Sequence, residues 1–224
     1  MSLLTLPRLN LEFITTLKGC VSLIRDPSQT ESVFDIVEGM RNTNASKFAL
    51  KYIQSHPEVD KIIQERHIPD IPNIEALLKY PQTSLGYTYA SYIKESNFQA
   101  DFYRKLKVKD DISYVLLRMR QSHDIWHIVT GFGTDSIGEL GLQAFSLAQT
   151  RLPLPVILLA GGLVRTLLKS PETLGNLLEQ IAIGYRMGAK AKPFLAQKWE
   201  ENWNKPLDEI RKELNVELVE TYIP

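Results

Sequence analysis

From Asp110 nearly to the C-terminus, apolar residues recur every three or four positions, and no other feature constrains the fold as strongly. The spacing predicts α-helices over 112–129, 137–151, 156–169 and 172–187, and one more from Pro193 to about Leu214. The earlier part reads the same way. Val33, Phe34, Val37 and Met40 follow the polar, acid-bearing start Ser28 to Glu31, and 43–66 continues the pattern with a break near Pro57. Pro69, Pro72 and Pro81 divide 67–86 into loops and short pieces, and helical turns are expected at 88–95 and 100–105. The β-like alternation VELVETYI at 216–223 is too short to seed a sheet. With no repeat and no long linker, residues 1–224 read as a single all-α domain.

Charge narrows the function classes. Lys and Arg together number 26, as do Asp and Glu, so no net field draws in nucleic acid. Cys20 is the single cysteine, which rules out an intrachain disulfide and makes a reducing compartment the default. The first twenty residues have neither the layout of a signal peptide nor that of a mitochondrial presequence. The longest strongly apolar run, 154–164, falls well short of the ~20 residues that span a bilayer. Peripheral membrane contact stays open through Leu3, Leu4, Leu6, Leu9, Leu11, Phe13, Ile14 and Leu17. Packing of that segment on the domain, or on a second subunit of a homodimer, explains it equally well.

Chemistry concentrates in 121-QSHDIWHIVTGFGTDSIGELGLQAF-145. Each helical residue turns about 100°, so His123 and His127 project from one face, one turn apart, as two imidazoles sharing a divalent cation would. Asp124 lies at the edge of that face. The glycine-bearing turn 130-TGFGTD-135 reverses the chain and brings Glu139, in the first turn of the next helix, within reach. Two histidines and two carboxylates suit zinc, iron or manganese. A plainer reading is equally available at this point. Ser136-Ile-Gly-Glu139 fits a capping box, and Asp124 can pair with Arg120 or stay solvated.

The stretch 114-YVLLRMRQSHDIWH-127, followed by eleven residues and Glu139, resembles the His-Asp-x-x-His-x11-Glu signature of the Coq-four family of ubiquinone (coenzyme Q) biosynthesis. The likeness continues in 81-PQTSLGYTYASYI-93, in 150-TRLP-153, around Arg165 and in 199-WEENWNKPLDEIRKELNV-216, covering roughly residues 10 to 216. It implies zinc, with iron, manganese or magnesium as alternatives, held by His123, Asp124, His127 and Glu139. It implies decarboxylation of a polyprenylated hydroxybenzoate, in some proposals with hydroxylation at C1, and association with other quinone-biosynthesis proteins at a membrane surface. Lacking the presequence of mitochondrial members, the chain is expected to be a bacterial, cytoplasmic type.

The chemistry assigns expected roles. Four ligands closed round zinc leave a structural site, so the two histidines are expected as fixed ligands, with Asp124 or Glu139 exchanging roles as the catalytic carboxylate. A prenyl tail needs an apolar groove, for which 156-VILLAGGLV-164 offers a wall, with Ala160, Gly161 and Gly162 leaving room for a lipid or for another helix. Arg165 and Lys169 suit a charged headgroup or a solvated helix end, and Arg118 suits substrate binding or a structural ion pair. Two other functions compete with the decarboxylase. One is a non-catalytic organiser that presents a prenylated intermediate to other enzymes. The other is a phosphohydrolase that recruits His56 or His67 and Asp208.

Overall fold

The computed structural model describes residues 39–96 and 108–218. The helical expectations across 28–38 and 100–105, Cys20, the apolar N-terminal segment and the end of VELVETYI lie outside the described residues. Nine α-helices follow one another among the described residues: α1 (Asn44–Gln54), α2 (Pro57–Glu65), α3 (Ile74–Leu77), α4 (Leu85–Glu95), α5 (Asp111–Thr130), α6 (Ser136–Thr150), α7 (Pro153–Lys169), α8 (Leu174–Lys190) and α9 (Leu207–Glu213). No strand forms among them; a lone antiparallel bridge joins Ser84 to Pro206. None of these helices is long and apolar enough to cross a membrane.

The helix ends follow from local chemistry. Asp110 starts α5 with a capping box: its carboxylate accepts from the Ser113 amide at 2.9 Å, and Ser113 Oγ accepts from the Asp110 amide at 2.9 Å. At the far end Gly131 turns left-handed, φ +78°, and its N–H donates to the His127 carbonyl at 2.8 Å. Burial pushes the Asp110 carboxyl up, but the hydrogen bonds from Ser113 and the Arg41 guanidinium outweigh it, and the net shift is downward. A lowered folded value means the stabilisation is present above the ordinary carboxylate range and is lost as pH falls through the folded value. Asp110→Ala is therefore expected to cost ~1 kcal/mol at neutral pH. The gap from the unsubstituted chain, read from urea midpoints, should shrink near pH 3.

The expected helix from Pro193 to Leu214 is corrected. The chain makes two short 3-10 turns, Phe194–Ala196 and Trp199–Glu201, before α9 begins. Pro206 lacks an amide hydrogen and disfavours helix at the residue before it. Phe194 and Trp199 are both buried, yet five residues along a helix would point them about 140° apart. Breaking the helix lets both rings enter one core cluster. Phe194 lies 4.7 Å from Phe145, 5.5 Å from Trp126 and 5.2 Å from Trp199, centroid to centroid.

That cluster fastens α5 and α6 to the C-terminal segment. The α6 and α8 backbones also touch: a Cβ on Gly184 would come within 2.1 Å of the Gly141 carbonyl oxygen. Two arginines tie α5 down on either side of its histidines. Arg118, 1% exposed, donates to both Glu200 carboxylate oxygens (2.7 and 3.0 Å) and to the Gln197 carbonyl (2.8 Å). Arg211 of α9 caps the end of α5 by donating to the carbonyls of Val129 (3.0 Å) and Ile128 (2.9 Å).

Candidate metal centre

The helical period brings the two histidines together as expected: the His123 and His127 ring centroids are 4.8 Å apart on α5. Glu139, from the first turn of α6, completes a group of three. Its Oε1 lies 3.1 Å from His127 Nε2 and its Oε2 lies 3.8 Å from His123 Nε2. One ligand atom from each residue falls within 4.8 Å of the other two. The capping-box reading is not what forms. Asp135 is the N-cap of α6, accepting from the Ile137 and Gly138 amides at 2.9 and 3.2 Å. With the cap filled, Glu139 turns to the histidines. Gly138 allows this turn of α6 to press on the loop, since a Cβ there would lie 2.3 Å from the Gly133 carbonyl oxygen.

Asp124 stands outside the group of three. Its Oδ1 is 3.7 Å from His123 Nδ1, on the other edge of that ring and beyond hydrogen-bond distance. His127 is held more firmly. Its Nδ1 is 2.9 Å from the Phe132 carbonyl, and a carbonyl can only accept, so the proton sits on Nδ1. That leaves Nε2 facing Glu139. Although close, the pair is not aligned as a hydrogen bond, and Nε2 is a buried polar atom without one. An unsatisfied, inward-facing imidazole nitrogen beside a carboxylate fits a metal ligand.

Burial draws the His127 imidazolium down, but Glu139, the Phe132 carbonyl and the Asp124 charge outweigh it and hold the group above its ordinary value. The side chain of His127 is 2% exposed, whereas those of His123 and Glu139 are 32% and 38% exposed. The group therefore opens on one side. Three candidate ligands on an open-sided group leave room for a further ligand.

The other expected residues are dispersed. Arg118 is engaged by Glu200, as in the structural ion-pair reading. On α7, Ala160 and Lys169 are exposed, and Gly161 and Arg165 are partly buried. Gly162 packs on α6: a Cβ would meet Leu140 Cδ1 at 2.3 Å, so room at this position is used by a helix side chain. One face of α7 nevertheless leaves Val156, Val164, Leu167 and Leu168 exposed. His56 bonds to the Tyr52 carbonyl, His67 sits 3.5 Å from Glu200, and Asp208 pairs with Arg211 at 3.1 Å. None joins the histidine pair, so the constellation expected of a phosphohydrolase is not assembled among the described residues. Sequence reasoning missed the Phe132 carbonyl, Glu200 and Arg211, all contacts that no local pattern announces.

With the geometry in place, comparison with known proteins identifies relatives. The profile of the family described as coenzyme Q (ubiquinone) biosynthesis protein Coq4 matches residues 5–220. The chain is 31% identical over 193 residues to the mitochondrial ubiquinone biosynthesis protein COQ4 homolog of Danio rerio, covering 82% of this chain and 69% of that one. It is 28% identical over 205 residues to the Anopheles gambiae homolog, covering 89% and 71%. Against the Aedes aegypti homolog it is 30% identical over 150 residues, 66% of this chain and 54% of the relative. The chain thus spans between about half and seven-tenths of the length of these relatives. A crystal structure from Nostoc punctiforme, described as a candidate ubiquinone biosynthesis protein, superposes with a TM-score of 0.81 at 36% identity, covering 90% of this chain and 96% of that one.

Proposed function

The chain belongs to the coenzyme Q (ubiquinone) biosynthesis protein Coq4 family, and on that premise we propose that it is a metal-dependent decarboxylase of a polyprenylated hydroxybenzoate. The observation that carries this reading is the buried, unsatisfied Nε2 of His127 facing Glu139 beside His123. His123, His127 and Glu139 would hold the ion, with zinc the first choice and iron, manganese or magnesium as alternatives. A bound divalent cation supplies Lewis-acid charge where negative charge develops on the ring.

The remaining work falls to the chain's own residues. The bond between C1 and the carboxyl carbon breaks with its electron pair left on the ring, CO2 departs, and a proton takes its place. The oxidative version instead consumes dioxygen and two electrons from an external reductant, one oxygen atom ending as the ring hydroxyl and the other as water. Glu139 moves the proton of the simple decarboxylation at its Oε2, a role supported by its being more than a third exposed and on the open side. The exposed Val156, Val164, Leu167 and Leu168, with Arg165 and Lys169 at the C-terminal end of α7, provide the surface for a prenyl tail and headgroup and for peripheral membrane contact. That same stripe favours a second reading, in which the chain presents prenylated intermediates to other quinone-biosynthesis proteins without turnover.

Release of labelled CO2 from a carboxyl-labelled prenylated hydroxybenzoate separates the two. Glu139→Gln is expected to lower the rate at least ~100-fold while leaving binding of the prenylated compound intact. No labelled CO2 from the metal-loaded, unsubstituted protein, with binding retained, would leave the presenting role.

A further inference from the structure

We propose that Phe132 is a positioning residue of this metal centre: its main-chain carbonyl fixes which nitrogen of His127 faces the ion, and its ring, seated on Gly141, fixes the carbonyl. The inference rests on the metal reading above and deepens it. Four observations meet at this residue. The His127 side chain has a single oriented anchor on its far side, the 2.9 Å bond from Nδ1–H to the Phe132 carbonyl. Phe132 lies in the turn between α5 and α6, a place where a carbonyl is ordinarily free to rotate to water, yet Phe132 is only 8% exposed. Its ring occupies the space a side chain at position 141 would take, because a Cβ on Gly141 would come within 2.7 Å of ring carbons Cδ1 and Cε1. Gly141 is itself pinned from behind by α8, whose Gly184 approaches its carbonyl.

The chain of contact runs from α8 through the α6 backbone and the Phe132 ring to the Phe132 carbonyl and the imidazole. A carbonyl held this way selects the Nδ1–H tautomer, aims Nε2 at Glu139 and raises the basicity of the ligand nitrogen. A turn residue with a small side chain would supply the same carbonyl without holding it in place.

The tests use metal alone as the probe. First, the intact chain is labelled with 15N-histidine and loaded with zinc. His127 should carry its proton on Nδ1 with Nε2 metal-shifted; a proton on Nε2 would overturn the proposal without any substitution. Second, zinc affinity is measured by competition with a chromogenic chelator, together with the visible spectrum of the cobalt-loaded protein. Phe132→Ala is expected to weaken affinity roughly 10–100-fold and to change the cobalt bands. Gly141→Ala, which pushes on the ring, should do likewise, and pairing it with Phe132→Leu should restore much of the loss. Changed cobalt bands in a folded variant whose melting temperature is unchanged are the readout that a merely structural role would not move. Affinity within twofold of the unsubstituted chain for a folded Phe132→Ala protein would overturn the inference while leaving the metal reading standing. Failure of the unsubstituted chain to bind zinc or cobalt would overturn both.

Discussion

His127→Ala is expected to remove the metal from the protein. Elemental mass spectrometry on the untagged chain should find about one divalent ion per molecule, and close to none in the variant. The reason is the division of labour in the group: His127 is the buried member, anchored behind by Phe132, while His123 and Glu139 reach in from the open side. Loss of the anchored ligand should cost more than the roughly 10–100-fold typical of an outer-shell change. Glu139→Gln serves as the companion, since its side chain is more than a third exposed and its replacement leaves the core untouched. The site should also discharge in acid. His127 binds a proton more tightly than an ordinary histidine, so proton and ion compete for Nε2 from somewhat above the usual histidine range downward, and metal content falls as pH drops through it. An unchanged metal content in folded His127→Ala protein would show that the ion, if present, sits elsewhere.

The second large effect is on stability. Glu200→Ala is expected to lower the unfolding free energy by ~3–5 kcal/mol, because it leaves the Arg118 guanidinium buried at 1% exposure with its charge unpaired. For a chain of this size that corresponds to a fall in melting temperature of roughly 10 °C. Calorimetry should show the recovery as well as the loss: replacing both partners, as Arg118→Met with Glu200→Leu, is expected to restore most of the stability. A single variant within ~1 kcal/mol of the unsubstituted chain would mean that water reaches the guanidinium and relieves it.

The helices were legible because each buries one face, and a buried face writes its period into the sequence. The His123 and His127 pair was legible for the same reason. Glu139 was legible in place but ambiguous in role, since a first-turn glutamate can serve its own helix cap or a neighbouring helix. Asp135, one residue before Ser136, takes the cap and leaves Glu139 to the histidines. The C-terminal stretch departs from the single helix expected of it because apolar residues five apart satisfy a loose helical count, while Pro206 disfavours helix just before it. The contacts of Phe132 with His127, Arg118 with Glu200 and Arg211 with Val129 left no local trace. A backbone carbonyl has no letter in the sequence, and partners some eighty residues apart share no periodicity.

The two arginine ties have a consequence for the order in which the molecule can be completed. Both join α5 to chain 82 or 83 residues further on. The hairpin that carries His123, His127 and Glu139 is local, with all three side chains inside 123–139. The partners that lock its helix, Glu200 and Arg211, are synthesised 61 and 72 residues after Glu139. During synthesis the nascent chain thus displays its metal-capable side chains before the clamps that hold them exist, with Arg118 still in water and the last carbonyls of α5 uncapped. Capture of an ion at that stage would pull the hairpin together early, and Glu200 and Arg211 would then close on a helix whose centre is already filled.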